Sequence, residues 1–143
     1  MKVVVDASIG IKWFKKENEK DVCQAINLIK KYQAGAFEII IPDLFFMELI
    51  NALRMNTSLS TEDLQNVFRQ ILHLHFTIVY PDEQLILSSI SISKSQALTL
   101  YDSIYIGAAQ NNDAFFVTAD KKILDSKNKY NFIKNIDEIL CLQ

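Results

Sequence analysis

Apolar residues along this chain follow two rhythms. Short, nearly continuous runs rich in β-branched and aromatic side chains occur at "VVV" (3–5), "FEIII" (37–41), "FTIVY" (76–80) and "AFFVT" (114–118). Runs of this length without polar alternation are expected of parallel strands buried on both faces. "NFIKNI" (131–136) is a weaker fifth candidate. Between them the spacing turns helical. "NEKDVCQAINLIKKYQAG" places apolar residues at 22, 25, 26 and 29 and supplies Gly35 as a stop. "PDLFFMELINALRMN" (42–56) opens on the turn-forming pair Pro42–Asp43, and "STEDLQNVFRQILHLH" opens on a capping box at Ser60 or Thr61. Helices are also predicted over 82–97, 99–112 and 119–127. Strands alternating with helices predict an α/β fold: a central, mainly parallel sheet of four to five strands flanked by helices.

Composition narrows the class. At 143 residues, half of them apolar, the chain is expected to form one domain over 1–143. No apolar run approaches the roughly 20 residues of a membrane span, and the stretch in "MKVVVDAS" is too short for a signal peptide core. A cytoplasmic protein is expected. Cys23 and Cys141, far apart and outside any CxxC, are expected as buried thiols rather than a bridge or a zinc site. His73 and His75 lack the spacing of a helical metal pair and are expected at a helix surface. A net charge of −2 excludes a protein that coats nucleic acid through overall positive charge. The charge is uneven, however: Lys121, Lys122, Lys127, Lys129 and Lys134 crowd one stretch, and Lys12, Lys15 and Lys16 follow Asp6. A basic rim around an acidic pocket is compatible with that pattern.

The candidate chemistry lies in the carboxylates. Asp6 directly follows "VVV", where ligands collect at the carboxyl ends of parallel strands. Its plain structural reading is an N-cap for a helix starting at Ala7. Asp120, after "FFVTA", repeats the pattern, and Asp102 sits three residues after Thr99 as in a capping box. Glu48 is surrounded by Leu44, Phe45, Met47, Leu49, Ile50 and Ala52, so its charge calls for a partner. Asn51 is placed to orient it, and Arg54 is the salt-bridge alternative. Four such acids gathered at one sheet edge would repel one another unless cations offset them. All-oxygen ligands without His or Cys select hard ions such as Mg²⁺ or Mn²⁺, which suit chemistry on phosphates.

Taken in order, "VVVDASIGIKWF", "IPDLFFMELINALR", "LYDSIYIGAA" and "FFVTADKKIL" resemble the signature segments of the PIN domain, and in particular the VapC-type toxins of toxin–antitoxin pairs. The resemblance runs from residue 3 to about 136. It implies a PIN-like fold, a Mg²⁺- or Mn²⁺-dependent endoribonuclease activity, a homodimer, and inhibition by a cognate antitoxin. The family's acidic positions fall on Asp6, Glu48, Asp102 and Asp120, with Asp6, Asp102 and Asp120 as metal ligands. Ser8, Asn51 and Thr118 match supporting polar positions. The implied reaction is in-line attack by a metal-activated water on an RNA phosphodiester, leaving a 5′-phosphate and a 3′-hydroxyl. Lys12 is a candidate contact to a substrate phosphate, while Trp13 and Phe14 are expected in the core. A non-catalytic PIN-like binding protein is one rival. A receiver-like phosphotransfer domain is another, but Asp6 stands alone where that site needs paired acids.

Overall fold

The computed structural model describes residues 1–15 and 20–142; Lys16 therefore lies outside the described residues. Five parallel strands, β1 (Lys2–Val5), β2 (Glu38–Pro42), β3 (Thr77–Val79), β4 (Phe115–Val117) and β5 (Ile133–Lys134), form one sheet in the order β3-β2-β1-β4-β5. All four β-branched runs predicted as strands are strands, and the weak fifth candidate contributes two residues at the edge. β1 sits at the centre, with Val3, Val4 and Val5 fully buried, and it pairs on either side with Ile39–Ile40 and Phe115–Val117. Burial on both faces explains why its sequence shows no alternation.

The connections are helices: α1 (Ala7–Phe14), α2 (Val22–Gln33), α3 (Leu44–Asn56), α4 (Thr61–His73), α5 (Glu83–Gln96), α6 (Leu100–Asn111), α7 (Lys121–Leu124) and α8 (Ile136–Leu140). α2 ends where Gly35 takes φ 77°. The Gly35 and Ala36 amides then bond back to the Tyr32 and Lys31 carbonyls, closing the helix end in a Schellman arrangement. α4 opens on the expected capping box, formed by Ser60 and Asp63. α6 packs across β1, β2 and β4, and α5 lies against α6. Their close approach depends on Gly107, where an added Cβ would stand 2.8 Å from Ser89 Oγ. On α1, Trp13 packs against Phe45 and Phe76 and donates its indole N–H to the Ala25 carbonyl.

Three expectations need correction. The helix predicted over 119–127 stops at Leu124 and continues as a 3₁₀ turn, Asp125–Asn128, where Asp, Ser and Asn compete locally with helical bonding. α8 was not expected, although Asn135 and Glu138 form a complete capping box before it. Cys23 and Cys141 are exposed free thiols rather than buried ones, because Cys23 falls on the outer face of α2 and Cys141 just beyond α8. His73 and His75 lie exposed at the end of α4, as expected. Among the described residues no helix is long and apolar enough to cross a membrane.

Candidate functional site

The sheet order reverses direction between β1 and β4: the chain leaves β1 toward β2 on one side and later returns to β4 on the other. Such a switch point opens a crevice at the carboxyl ends of the strands. Asp6 immediately follows β1 there, and Asp120 lies three residues beyond the end of β4; Val5 and Val117 are register partners. Parallel pairing thus carries two acids 114 positions apart in the numbering to one edge.

Asp6 is only 5 % exposed. It caps α1 by accepting from the Ile9 amide, so the plain structural reading of this residue holds. The cap is a small part of its surroundings. Ser8 Oγ donates to Asp6 Oδ1, and Thr118 Oγ1 donates to Asp6 Oδ2 at 2.5 Å. Both hydroxyls also accept backbone N–H groups from the β4–α7 junction: Ala119 to Ser8 at 2.8 Å, and Asp120 to Thr118 at 3.0 Å. Ser8 and Thr118 therefore lock the segments after β1 and β4 together through the Asp6 carboxylate. Burial pushes the Asp6 carboxyl up to about 6, against these hydrogen bonds, and the nearby Glu48 charge adds to the rise.

Glu48 is half-buried on α3. Neither Asn51 nor Arg54 is the partner it finds. Arg54 turns instead to Asn51 Oδ1 and the Met55 sulfur, and Asn51 is exposed. Glu48 Oε2 accepts from the Tyr105 hydroxyl of α6 at 2.5 Å. Burial raises the Glu48 carboxyl, the Tyr105 bond opposes the rise, and Asp102 adds to it. Asp102 lies in the first turn of α6, tied by its Oδ2 to Thr99 Oγ1 at 2.8 Å as the capping reading expects. Asp120 is exposed and caps α7 through Oδ1, which accepts from the Lys122 and Ile123 amides.

The structure thus brings Asp6, Glu48 and Asp102 into one electrostatic neighbourhood, with Asp120 joined to Asp6 through Thr118. Glu48 Oε1, Asp102 Oδ1 and Asp120 Oδ2 accept no hydrogen bond among the described residues. The donor set is all oxygen, which matches a hard divalent ion in chemistry. As arranged, however, no three Asp, Glu, His or Cys side chains among the described residues close around an ion. Lys12 is buried rather than presented at a rim, and its ammonium donates to the Lys20 carbonyl at 2.8 Å. In the lysine-rich stretch, Lys127 pairs with Glu138, while Lys129 and Lys134 lie over the rings of Tyr130 and Phe115. Tyr105 is the residue that sequence reasoning missed. Its only signal was helical spacing, one turn beyond Asp102 on the same face.

A family model described as the PIN domain matches residues 3–129. Among solved structures, the chain is similar to one from Klebsiella pneumoniae described as a toxin–antitoxin complex. Identity is 20 % and the TM-score 0.62, covering 84 % of this chain and 88 % of that one. It is similar to Mycobacterium tuberculosis VapC20, described as a sarcin-ricin loop cleaving toxin, with 8 % identity, a TM-score of 0.68, and 87 % and 94 % coverage. A Rickettsia felis VapBC2 structure, bound to a DNA fragment from its promoter, matches at 14 % identity and a TM-score of 0.65, covering 94 % and 98 %. No curated protein matches the chain.

Proposed function

The chain belongs to the PIN-domain family, and from that premise we propose that it is a metal-dependent endoribonuclease, the toxin of a VapBC-type pair. The observation that supports this reading is the Asp6–Thr118–Asp120 linkage at the β1–β4 switch point, together with the Tyr105 bond that ties Glu48 to the helix carrying Asp102. Asp6 and Glu48, both raised by burial and by a neighbouring carboxylate, mark a site where a cation is favoured. Asp6, Asp102 and Asp120, with Glu48 beside them, are the residues that would hold Mg²⁺ or Mn²⁺. When bound, such an ion lowers the pKa of water and offsets charge developing on a phosphate.

The chain's own groups supply the rest. Ser8 and Thr118 fix both Asp6 oxygens, so the carboxylate cannot rotate away from the crevice. Glu48 has Oε2 committed to Tyr105 and Oε1 open, so Oε1 is the atom placed to orient the attacking water and take its proton. Attack in line with the leaving 3′-oxygen leaves a 5′-phosphate on the product. Because the net charge is −2, RNA binding relies on a shaped groove rather than on bulk attraction. A homodimer would build that groove between two subunits, and a cognate antitoxin would cover it in the cytoplasm. The toxin–antitoxin neighbours support the antitoxin assignment.

Incubating the purified chain with a mixed RNA panel in Mn²⁺, with and without EDTA, tests the reading. It predicts cleavage that EDTA abolishes and fragments that carry 5′-phosphates. Intact RNA under every divalent condition would favour a non-catalytic binding member of the family.

A further inference from the structure

Tyr105 stands where the elements carrying the site meet. It lies on α6 one turn after Asp102 and is 1 % exposed. Its ring stacks on Phe116 of β4, with centroids 5.8 Å apart and planes within 7° of parallel. The β4 strand leads directly to Thr118 and Asp120. Its hydroxyl crosses to α3 and donates to Glu48 Oε2, a side-chain bond spanning 57 residues. We infer that Tyr105 is a positioning residue for Glu48: its hydroxyl commits one carboxylate oxygen and holds the other open toward Asp6 and Asp102. This inference rests on the proposed nuclease reading for its consequence in catalysis, and on geometry alone for its effect on Glu48.

The physical case has three parts. First, the direction of the hydrogen bond is fixed. A phenol carries its proton at neutral pH and an ionised carboxylate can only accept, so Tyr105 is the donor. Second, the hydroxyl cannot wander, because the ring is clamped by Phe116 and buried on every side. Third, Glu48 has no competing anchor among the described residues. Arg54 and Asn51, its neighbours along α3, bond to each other instead. A glutamate on a half-buried helical face has three rotatable side-chain bonds, and Tyr105 is what selects one arrangement.

A packing role for Tyr105 is separated from a positioning role by Tyr105→Phe, which keeps the ring and its stacking and removes the hydroxyl alone. The experiment is a double-mutant cycle of Tyr105→Phe and Glu48→Gln with two readouts. One is Mn²⁺ affinity from the free-ion EPR signal; the other is RNA cleavage resolved into kcat and KM. Partners that orient site residues typically contribute 10–100-fold to metal affinity or activity. Tyr105→Phe is therefore expected to weaken Mn²⁺ binding or lower kcat by about tenfold or more, with KM for RNA nearly unchanged. On the Glu48→Gln background the same change is expected to add almost nothing. Wild-type behaviour of Tyr105→Phe in both readouts, or an equal loss on both backgrounds, overturns the inference. If the wild-type chain cleaves no RNA, the nuclease reading fails instead, and the Mn²⁺ cycle alone decides the role of Tyr105.

Discussion

Replacing Asp6 by Asn, without divalent ions, separates a strained site carboxylate from a helix cap. In the folded chain Asp6 keeps its proton up to about pH 6, whereas the ordinary value is 3.8. Between those values the folded state binds more protons than the unfolded one, so stability falls as pH rises through the window, and the whole penalty persists above it. At 1.36 kcal/mol per pKa unit the gap is worth about 3 kcal/mol. Asparagine avoids this penalty but weakens the hydrogen bonds. Its amide oxygen can still accept from Ser8 and the Ile9 amide, whereas its NH₂ group faces the Thr118 hydroxyl, at a cost of about 1–2 kcal/mol. At pH 7.5 in EDTA, Asp6→Asn should therefore be more stable than wild type by about 1–2 kcal/mol, or about 3–6 °C in Tm. At pH 4 the advantage should vanish or reverse. Urea denaturation of both proteins at intervals from pH 4 to 7.5 gives the difference curve directly. Subtracting one protein from the other cancels Asp63 and Glu138, whose lowered carboxyls act at more acidic pH and in the opposite sense. A cap alone predicts that the mutant loses about 0.5–2 kcal/mol where Asp6 is charged. A difference that stays flat, or turns against the mutant as pH rises, would show that Asp6 acts only as a cap.

Other outcomes follow from the same structure. In a thermal melt, Mg²⁺ at a hundredfold excess over its dissociation constant should stabilise wild type by about 2.7 kcal/mol, and Asp6→Asn and Asp102→Asn should gain much less. Gly107→Ala should cost about 1–3 kcal/mol in a denaturant titration, because the new methyl meets Ser89 Oγ at 2.8 Å and Leu85 Cδ1 at 3.2 Å in the α5–α6 contact. Ser89→Ala should raise stability by about 1 kcal/mol, since this fully buried hydroxyl has no hydrogen-bond partner among the described residues.

Local patterns in the sequence carried the strands and most of the helices. Continuous β-branched runs marked β1 to β4 because a parallel sheet covered on both faces admits no polar alternation. Ser60, Asp82 and Thr99 announced their helices because each side chain satisfies an amide in the first turn. α8 was legible in principle through Asn135 and Glu138, but five residues leave too little periodicity to stand out. The surroundings of the site were less accessible. Asp6 was singled out as a carboxylate at a strand end, whereas its clamp by Ser8 and Thr118 depends on β1 and β4 being neighbours. Glu48 was recognised as needing a partner, and the choice between Arg54, Asn51 and Tyr105 turned on how α3 and α6 pack. Pairing across 57 residues leaves no trace in local spacing. The exposure of Cys23 and Cys141 is hidden in the sequence for a similar reason, since composition does not say which face of a helix is covered.

The central claim is that the carboxylates at the β1–β4 edge act with a divalent ion to cut RNA. Its most direct test is single-turnover cleavage of one susceptible RNA by wild type, Asp6→Asn and Asp120→Asn across a Mn²⁺ titration, with folding of each protein verified by circular dichroism. The wild-type rate should rise with Mn²⁺ and saturate, and both folded mutants should lose most of it. Full activity in both mutants, or cleavage that persists unchanged in EDTA, would contradict it.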